Sequence, residues 1–311
     1  MDALQHRIVL VTRRTRLEDL VARLNTVEQA RFYVEHLGAD FADYESEHAR
    51  YQQAVASAEE TLRRHGRVQR LERGLVANFL FPPDCLAVVV GQDGLVANTL
   101  KYLDGQPVIG VNPDPGRWDG VLLPFAADDL GAIVPEVLAG KRPTRSVTMA
   151  RVALSDGQEL HAVNDFFIGP RSHVSARYTI ELGEQREAHS SSGIIVSTGM
   201  GSTGWFRSLL TGAMAMAGPA SAEHLALLQQ SGFPWESSYL YFTVREPFPS
   251  RASQAGLVFG RIEQGESLRV TSAMPDYGVI FSDGIESDFL EFNAGMHASI
   301  GASQRVGTLV Q

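Results

Sequence analysis

The chain contains one cysteine, Cys85, among its 311 residues. A single thiol cannot form an intrachain disulfide, and this is typical of proteins that fold in a reducing compartment. The first residues also lack the apolar core of a signal peptide. We therefore expect a cytoplasmic protein, in which Cys85, next to an apolar run, is a buried structural thiol.

Long apolar runs and an excess of basic residues are also absent. No stretch reaches the ~18 consecutive apolar residues that a membrane-spanning helix needs. The net charge is −9, whereas proteins dedicated to nucleic acids usually have a basic excess. We therefore predict neither a membrane nor a nucleic-acid partner. With 44% hydrophobic and 20% charged residues, the chain is expected to be globular and long enough for two domains.

The first 143 residues alternate short apolar runs with segments of helical periodicity. This alternation predicts a Rossmann-like α/β domain, in which a parallel sheet is covered by helices on both faces. Ligands of such sheets bind at the carboxyl ends of the strands. The predicted strands are residues 8–12, 68–71, 86–90, 107–112 and 121–124, and the predicted helices are 17–24, 26–37, 43–65, 95–103 and 128–139.

The pattern changes after residue 143, and residues 144–289 predict a second, mostly antiparallel all-β domain. Asp156-Gly157 and Leu182-Gly183-Glu184 are hairpin signals between strand-like runs. The predicted strands of this domain are residues 147–154, 166–168, 176–182, 194–197, 240–244, 256–259, 267–272 and 279–281.

The segment Gly91-Gln-Asp-Gly94 interrupts the pattern at the end of an apolar run, and a helix-compatible sequence follows at once. It predicts a strand that turns sharply into a helix, with Asp93 beside the helix N-terminus. Backbone N–H groups at such a position can bind a phosphate. Taken alone, these residues predict an ordinary turn with a solvated Asp93 equally well, because a short glycine-rich turn is a weak motif.

A second segment, Gly193-Ile-Ile-Val-Ser-Thr-Gly-Met-Gly-Ser-Thr-Gly-Trp205, combines a β-rich run with a Gly, Ser and Thr cluster. Together with Asn164-Asp165 and Gly91-Gln-Asp-Gly94, it resembles the NAD kinase family in order and spacing. That family carries a Gly-Gly-Asp-Gly-Thr turn, an Asn-Glu pair and an Asp-Gly-(apolar)-Ser-Thr-Pro-Thr-Gly-Ser-Thr-Ala-Tyr segment. Pro107-Val-Ile-Gly-Val-Asn112 and Ser282-Asp-Gly284 are similar to two further family segments, so the resemblance covers about residues 84–311.

The resemblance implies an ATP-dependent kinase that phosphorylates a hydroxyl of NAD(H), a related nucleotide or a sugar, with Mg²⁺ as cofactor. It assigns donor phosphates to Gly91, Gln92 and Gly94, and the role of general base to Asp93. The residue chemistry agrees, because phosphoryl transfer needs a carboxylate to take the hydroxyl proton. A spare oxygen of Asp93 could also contact Mg²⁺ or a metal-bound water. No dedicated metal-binding residues are predicted, since the histidines lack ligand spacing.

Acceptor binding is implied for the residues that fall on the family's acceptor positions. On residue chemistry alone, Asn164-Asp165 is more typical of a turn before a strand, and Trp205 of a core position. The resemblance further implies a homodimer or homotetramer, and a return of residues 290–311 to the first domain. The implied acceptor-binding residues are Asn164, Asp165, Ser202, Thr203, Gly204, Trp205 and Ser208.

Several positions depart from the family pattern, so the acceptor is left open. Gln92 replaces a Gly, Leu95 a Thr, Ser192 an Asp, and Gly199-Met200 a Pro-Thr pair, while the first 80 residues fit the pattern poorly. One alternative is a non-catalytic nucleotide sensor, which retention of Asp93 disfavours. Another is a lipid-alcohol kinase, since diacylglycerol and sphingosine kinases share the Gly-Gly-Asp-Gly turn. The acidic composition without a basic amphipathic helix disfavours it.

Overall fold

The computed structural model describes residues 6–217 and 223–311. The chain divides into two compact units, one comprising residues 1–145 and 308–311 and the other residues 146–307. None of the helices described is both long and apolar enough to cross a membrane.

The first unit is built on a parallel sheet in the strand order β2-β1-β3-β4. Among its described residues, five α-helices accompany the strands, as expected for an α/β unit. Its elements are β1 (Arg7–Thr12), α1 (Arg16–Leu24), α2 (Val27–His36), α3 (Phe41–Arg63), β2 (Arg67–Glu72), β3 (Cys85–Val90), α4 (Asp93–Leu100), β4 (Pro107–Val111) and α5 (Leu130–Leu138).

The core of the first unit forms where the apolar stripe of α3 meets the sheet. Every residue of β3 is buried, which explains its uninterrupted apolar sequence. Tyr51, Val55 and Ala58 recur three or four positions apart along α3 and pack in one cluster with β1, β3 and α5. Cys85 is buried at the start of β3, and this burial raises the pKa of its thiol to about 11. The expectation of a structural thiol is therefore supported.

Two residues set the ends of α2. The Thr26 hydroxyl caps α2 by accepting the N–H of Gln29. The chain leaves α2 through Gly38, whose φ of +74° lies in the left-handed region that glycine tolerates.

The strand predicted at residues 121–124 is wrong. Only an isolated bridge between Val111 and Phe125 forms in this stretch. The N–H groups of Val121 and Leu122 instead donate to the side chain of Asp93. They are therefore not used in pairing with a strand. The segment is therefore a loop that a carboxylate holds in place.

The second unit consists mainly of antiparallel strands, and it also contains two helices. Its elements are β5 (Thr144–Leu154), β6 (Glu159–Ala162), β7 (Asp165–Pro170), β8 (Ala176–Leu182), β9 (Gln185–Ser191), β10 (Ile194–Ser197), α6 (Trp205–Ala217), α7 (Glu223–Ser231), β11 (Leu240–Val244), β12 (Phe259–Ile262), β13 (Leu268–Ser272), β14 (Gly278–Ser282), β15 (Phe289–Glu291) and β16 (His297–Val310).

Two layers of strands enclose the core of this unit. One layer contains β16, β13, β8 and β9, with β5 and β6, and the other follows the order β12-β11-β10-β7-β14-β15. Alternation decides which side chains enter the core. Phe166 and Ile168 of β7 pack in the central cluster, whereas Phe167 lies on the opposite face of its sheet. A parallel α/β unit followed by a mostly antiparallel β unit is the fold class that the sequence predicted.

The second unit differs from expectation in several details, and its strands β6, β9, β15 and β16 were not among those predicted. The strand predicted at residues 256–259 lies at Phe259–Ile262, because the N–H groups of Gly256 and Leu257 donate to the Glu187 carboxylate instead. Helices α6 and α7 were not predicted. They cover the outer face of the second sheet with the cluster of Phe206, Leu210 and Leu228.

The C-terminal segment that belongs to the first unit is shorter than the expected residues 290–311. Strand β16 is continuous, and its early residues pair with β13 in the second unit. Only Thr308 and Leu309 at its end pair with β4, so residues 308–311 alone belong to the first unit.

Tyr51 links the strand ends of the first unit through its hydroxyl group. It accepts the backbone N–H of Arg13, which follows β1, at 2.7 Å and donates to the Val90 carbonyl of β3 at 3.0 Å.

Tyr51→Phe leaves both backbone groups unpaired in the interior, which should lower the free energy of unfolding by about 1–3 kcal/mol. Urea unfolding measures the loss. Tyr33→Phe is the control because that residue is 40% exposed, and an equal effect of the two variants would contradict the assignment.

Candidate active site

The Gly91-Gln-Asp-Gly94 turn joins β3 to α4 as the sequence predicted. Gln92 is the N-cap residue of α4, and its carbonyl accepts the N–H groups of Leu95 and Val96. The earlier N–H groups of Asp93 and Gly94 have no intrahelical partner, as is usual for a first turn. This turn lies at the carboxyl end of a buried parallel strand, and its free N–H groups suit an anionic group.

The carboxylate of Asp93 has a specific structural contact. Its Oδ1 accepts the N–H of Leu122 at 2.8 Å, and its Oδ2 accepts the N–H of Val121 at 3.2 Å. Asp93 is half-buried. Each oxygen retains a second acceptor direction, so Asp93 is positioned by the loop and can still accept a further proton or hydrogen bond.

The two glycines of the turn differ in their surroundings. A Cβ at Gly91 would lie 2.9 Å from the Leu95 Cδ2 atom, so Gly91 is packed by the protein itself. A Cβ at Gly94 would meet nothing within 4 Å, and Gly94 is exposed. Leu95, which replaces the family's Thr, is buried in the core. Packing within the protein therefore gives no reason for glycine at position 94.

Asp283 organises two of the predicted acceptor residues, Asn164 and Asp165, in the second unit. Its carboxylate accepts the backbone N–H groups of Val163, Asn164 and Asp165 at distances of 2.6 to 3.3 Å. Its own backbone adopts φ +55°, and its N–H donates to the Asp165 carbonyl. The Ser282-Asp-Gly284 and Asn164-Asp165 segments are thereby held together.

The loop after β10 joins the same group. The Thr198 N–H donates to the Asn164 carbonyl at 2.9 Å, and its hydroxyl donates to the neighbouring Val163 carbonyl. A Cβ at Gly201 would lie 2.0 Å from that same carbonyl oxygen, so the backbones are in direct contact there. Three segments that resemble the family motifs therefore converge at one end of the β10-β7-β14 strands.

Ser202 is part of this loop but faces inward. Its hydroxyl donates to the Gly199 carbonyl at 2.6 Å and accepts the N–H of Phe233 at 3.2 Å. The residue is 1% exposed. The structure therefore gives Ser202 a role in holding the loop. Gly199, at the family's Pro position, is explained by a close approach, because a Cβ there would lie 1.9 Å from the Pro234 carbonyl oxygen.

The other predicted acceptor residues are more accessible. Thr203, Gly204 and Ser208 are exposed, and the Ser208 hydroxyl donates to the Gly204 carbonyl at 3.4 Å. The Asn164 side chain is half-buried and makes no hydrogen bond within residues 6–217 and 223–311. These amide and hydroxyl groups are the ones best placed to contact a polar ligand.

Trp205 begins α6 and is neither fully core nor fully exposed. Its ring stacks on Phe167 with a centroid distance of 5.8 Å and an interplanar angle of 9°. The Arg245 guanidinium carbon lies 5.3 Å from the Trp205 ring centroid. Sequence reasoning missed Arg245, because position 245 follows a strand 40 residues later in the chain and carries no local signal.

Asp165 is 7% exposed and lies beside Asp283. Burial, with the negative charge of Asp283 as a second cause, raises the pKa of Asp165 to about 7. A buried carboxyl group in this state can donate a hydrogen bond. The family's Glu would be one methylene longer at this position.

Comparison with known proteins is consistent with this geometry. An NAD kinase from Burkholderia cenocepacia strain HI2424 is 34% identical over 151 residues, which is 45% of this chain and 46% of that relative. An NAD kinase from Burkholderia multivorans is 34% identical over 144 residues, or 43% of this chain and 44% of that relative. The chain thus matches less than half the length of these curated relatives. No family model matches the chain.

A solved structure extends the similarity to the whole fold. It is an NAD kinase from Archaeoglobus fulgidus in complex with ATP, with a TM-score of 0.55, 15% identity, and coverage of 98% of this chain and 93% of that one. The chain therefore shares the fold of this NAD kinase, and about 45% of it is similar in sequence to NAD kinases. The low identity means that this structural match supports the fold, and it leaves the site residues to be argued from their own geometry.

The fold brings together Asn164, Asp165 and the 202–205 loop. Asp283, which accepts their backbone N–H groups, was not among the predicted site residues. The Ser282-Asp-Gly284 motif was the available signal, since Asp-Gly is typical of a backbone turn with positive φ. The sequence could not show that its side chain binds a segment some 120 residues away.

The elevated pKa of Asp165 predicts a pH-dependent stability. The Asp165 carboxyl group has a pKa of about 7 in the folded chain and an ordinary value near 3.9 in the unfolded chain. Between these two pH values it is protonated in the folded chain and ionised in the unfolded chain. This contribution to stability is complete below about pH 4 and is lost as the pH rises to about 7, by up to about 1.4 kcal/mol per pH unit. Urea unfolding from pH 4.5 to 7 should therefore show a flatter pH profile for Asp165→Asn. Exposed Asp276→Asn is the control, and parallel profiles for Asp165→Asn and the unmodified chain would contradict the assignment.

The contact at Gly201 predicts a steric requirement. Gly201→Ala places a methyl group against the Asn164 carbonyl, so we expect a loss of about 2 kcal/mol or more in the free energy of unfolding. Gly212→Ala in α6 is the matched control, because nothing lies within 4 Å of its Cβ position and alanine favours helix. Denaturant unfolding of both variants measures the difference. Equal stability would show that the loop moves away freely.

Proposed function

We propose that this chain is an ATP-dependent kinase of the NAD kinase type, which transfers a phosphoryl group to a hydroxyl of NAD(H) or a related nucleotide. The observation that carries the proposal is the convergence of the Asn164-Asp165, 197–204 and 282–284 segments through the Asp283 carboxylate. Folding has assembled the acceptor motif from three distant segments. The relatives named above are NAD kinases, which supports the same activity.

The 91–94 turn is proposed to bind the phosphates of ATP. The unpaired N–H groups at the start of α4 suit an anion, and the open surface at Gly94 allows a phosphate close to the backbone. The archaeal structural neighbour was crystallised in complex with ATP, which supports this choice of donor. Gln92 adds a side chain to the turn where the family has glycine, and it is half-buried.

Asp93 is proposed as the general base. In the transfer, a bond forms between the acceptor oxygen and the γ-phosphorus, and the bond between that phosphorus and the ADP oxygen breaks. The hydroxyl proton passes to a carboxylate oxygen of Asp93. The contacts from Val121 and Leu122 orient the carboxylate before substrate binds, which reduces the entropic cost of the step.

A magnesium ion fits this proposal only as part of the nucleotide complex. No group of three or more His, Cys, Asp or Glu side chains among residues 6–217 and 223–311 could hold a metal. Mg²⁺ commonly binds substrate phosphates, waters and one or two carboxylates. Asp93 is the carboxylate available at the turn, and the ion would offset phosphate charge during transfer.

A nucleotide sensor without turnover is the alternative with a specific observation in its favour. Both oxygens of Asp93 already accept backbone N–H groups, so an aspartate here has a structural reason to be present even without catalysis. Retention of Asp93 therefore separates the two functions less sharply than the sequence indicated. Binding and turnover must be measured separately.

Asp93→Asn tests the kinase proposal directly. An amide of the same size cannot take the proton, so NADP formation from ATP, Mg²⁺ and NAD should fall about 10²–10⁴-fold, while ATP binding persists. Thermal unfolding checks that the loop contact survives. Asp128→Asn, in the 3₁₀ turn before α5, is the matched control and should keep full turnover.

Gly94→Ala provides a second arm that does not depend on Asp93. Alanine fits the first helical turn and should leave stability unchanged or slightly higher, but its methyl group should weaken ATP binding. ATP binding without turnover in the unmodified chain would favour the sensor. Full turnover by Asp93→Asn would remove Asp93 from the chemistry.

A further inference from the structure

A cavity of about 520 Å³ lies beside Trp205 on the outer face of the second sheet. Aromatic rings form much of its lining, and Phe167 stacks on Trp205 and on Phe281 with centroid distances of 5.8 and 4.9 Å. A cavity of this size with aromatic walls suits a planar organic group. All of its lining residues belong to the second unit.

Two arginines give this cavity an unusual charge. Arg171 and Arg245 both line it, and neither forms an ion pair with any residue in the described ranges 6–217 and 223–311. The Nε atom of Arg245 is buried and has no hydrogen-bond partner within those ranges. An unpaired buried donor on a charged group is costly, and an anionic ligand would relieve that cost.

The position of Arg245 is fixed by the backbone. Its N–H donates to the Gly193 carbonyl, and its carbonyl accepts the N–H of Ser192. The guanidinium is stacked over the Trp205 and Phe167 rings, 5.3 and 5.9 Å from their centroids. The following residue, Glu246, has a φ of +45°, which a non-glycine residue rarely adopts. These contacts hold the cation at the aromatic wall.

Glu286 is the acidic residue among those that line the cavity, and it is exposed. His173 also lines the cavity and is exposed. The Arg171 guanidinium lies 3.7 Å from the Phe289 ring centroid, so it too is directed by an aromatic ring. Two guanidinium groups against one exposed carboxylate leave the cavity positively charged.

We propose that this cavity binds a planar aromatic ring that bears a carboxylate, with the ring against Trp205 and the carboxylate at Arg245 and Arg171. A guanidinium pairs with a carboxylate in a bidentate geometry that a neutral carboxamide cannot match. The positive charge also disfavours the cationic ring of oxidised NAD. For a dinucleotide ligand this inference rests on the proposed function. The acceptor would then be a dinucleotide whose planar ring bears a carboxylate.

The test uses the 311-residue chain without ATP and two matched pairs of ligands. The first pair is nicotinic acid adenine dinucleotide and NAD, which differ only in a carboxylate or carboxamide on the ring. The second pair is free nicotinate and nicotinamide, which separates the ring alone from the dinucleotide. Calorimetric titration should show roughly tenfold tighter binding of the carboxylate in at least one pair.

Three variants locate the preference. Arg245→Gln and Arg171→Gln should each reduce it severalfold, whereas Arg245→Lys should retain part of it because the charge remains. Arg177→Gln, an exposed position on β8 in the other sheet, should leave it unchanged. No preference for the carboxylate in either pair overturns the proposal, and so does a preference that survives both glutamine variants.

The outcome is separable from that of the proposed function. Turnover of NAD without any carboxylate preference would leave the kinase proposal standing and remove this one. A carboxylate preference that depends on Arg245, in a chain without turnover on either dinucleotide, would support the cavity and contradict the kinase.

Discussion

The candidate acceptor site in the second unit depends on the carboxylate of Asp283. One side chain accepts three consecutive backbone N–H groups, those of residues 163–165, and thereby fixes the segment that carries Asn164 and Asp165. Thr198 and Gly201 then pack on the Asn164 carbonyl, so the position of the 197–204 loop follows from the same contact. The negative charge of Asp283 also contributes to the raised pKa of its neighbour Asp165. Asp283 therefore fixes the geometry at this end of the sheet, whereas the raised pKa of Asp165 is due first to burial and second to the charge of Asp283.

The first unit uses a carboxylate in a similar way. Asp93 accepts the N–H groups of Val121 and Leu122, and the segment that periodicity predicted as a strand becomes a loop anchored to the turn. An aspartate at a motif position can therefore be required for structure. In this chain the two motif aspartates, 93 and 283, both have backbone partners, so catalytic roles must be established by turnover rather than by residue identity.

The sequence predicted the parts of the fold that arise from local patterns. Uninterrupted apolar runs predicted β3 and β4, the three-to-four spacing predicted the buried face of α3, and Gly157 and Gly183 adopt the positive φ angles of the predicted hairpins. Helices α6 and α7 were missed because they follow a glycine-rich loop within a β-rich context. The shifted strand at Phe259–Ile262 depends on the Glu187 carboxylate, some 70 residues earlier, which no local pattern could reveal.

The candidate site shows the same division between local and distant information. The motifs identified Asp93, Asn164, Asp165 and Trp205, but the sequence could not distinguish an inward-facing Ser202 from an exposed Thr203.

The departure from the family pattern at Ser192 can be related to the residues around it. Ser192 stands where the family has an acid, and its N–H donates to the carbonyl of Arg245. An acidic residue is thus missing next to an arginine that has no ion-pair partner in the described ranges 6–217 and 223–311. Ser192 in place of an acid and Arg245 without an ion pair together make the local charge more positive, beside an aromatic wall that includes Trp205. Loss of an acid next to a cation raises affinity for an anion and lowers it for a cationic ring. Under the proposed carboxylate preference, the change at position 192 is a change in the charge of the acceptor rather than decay of the site.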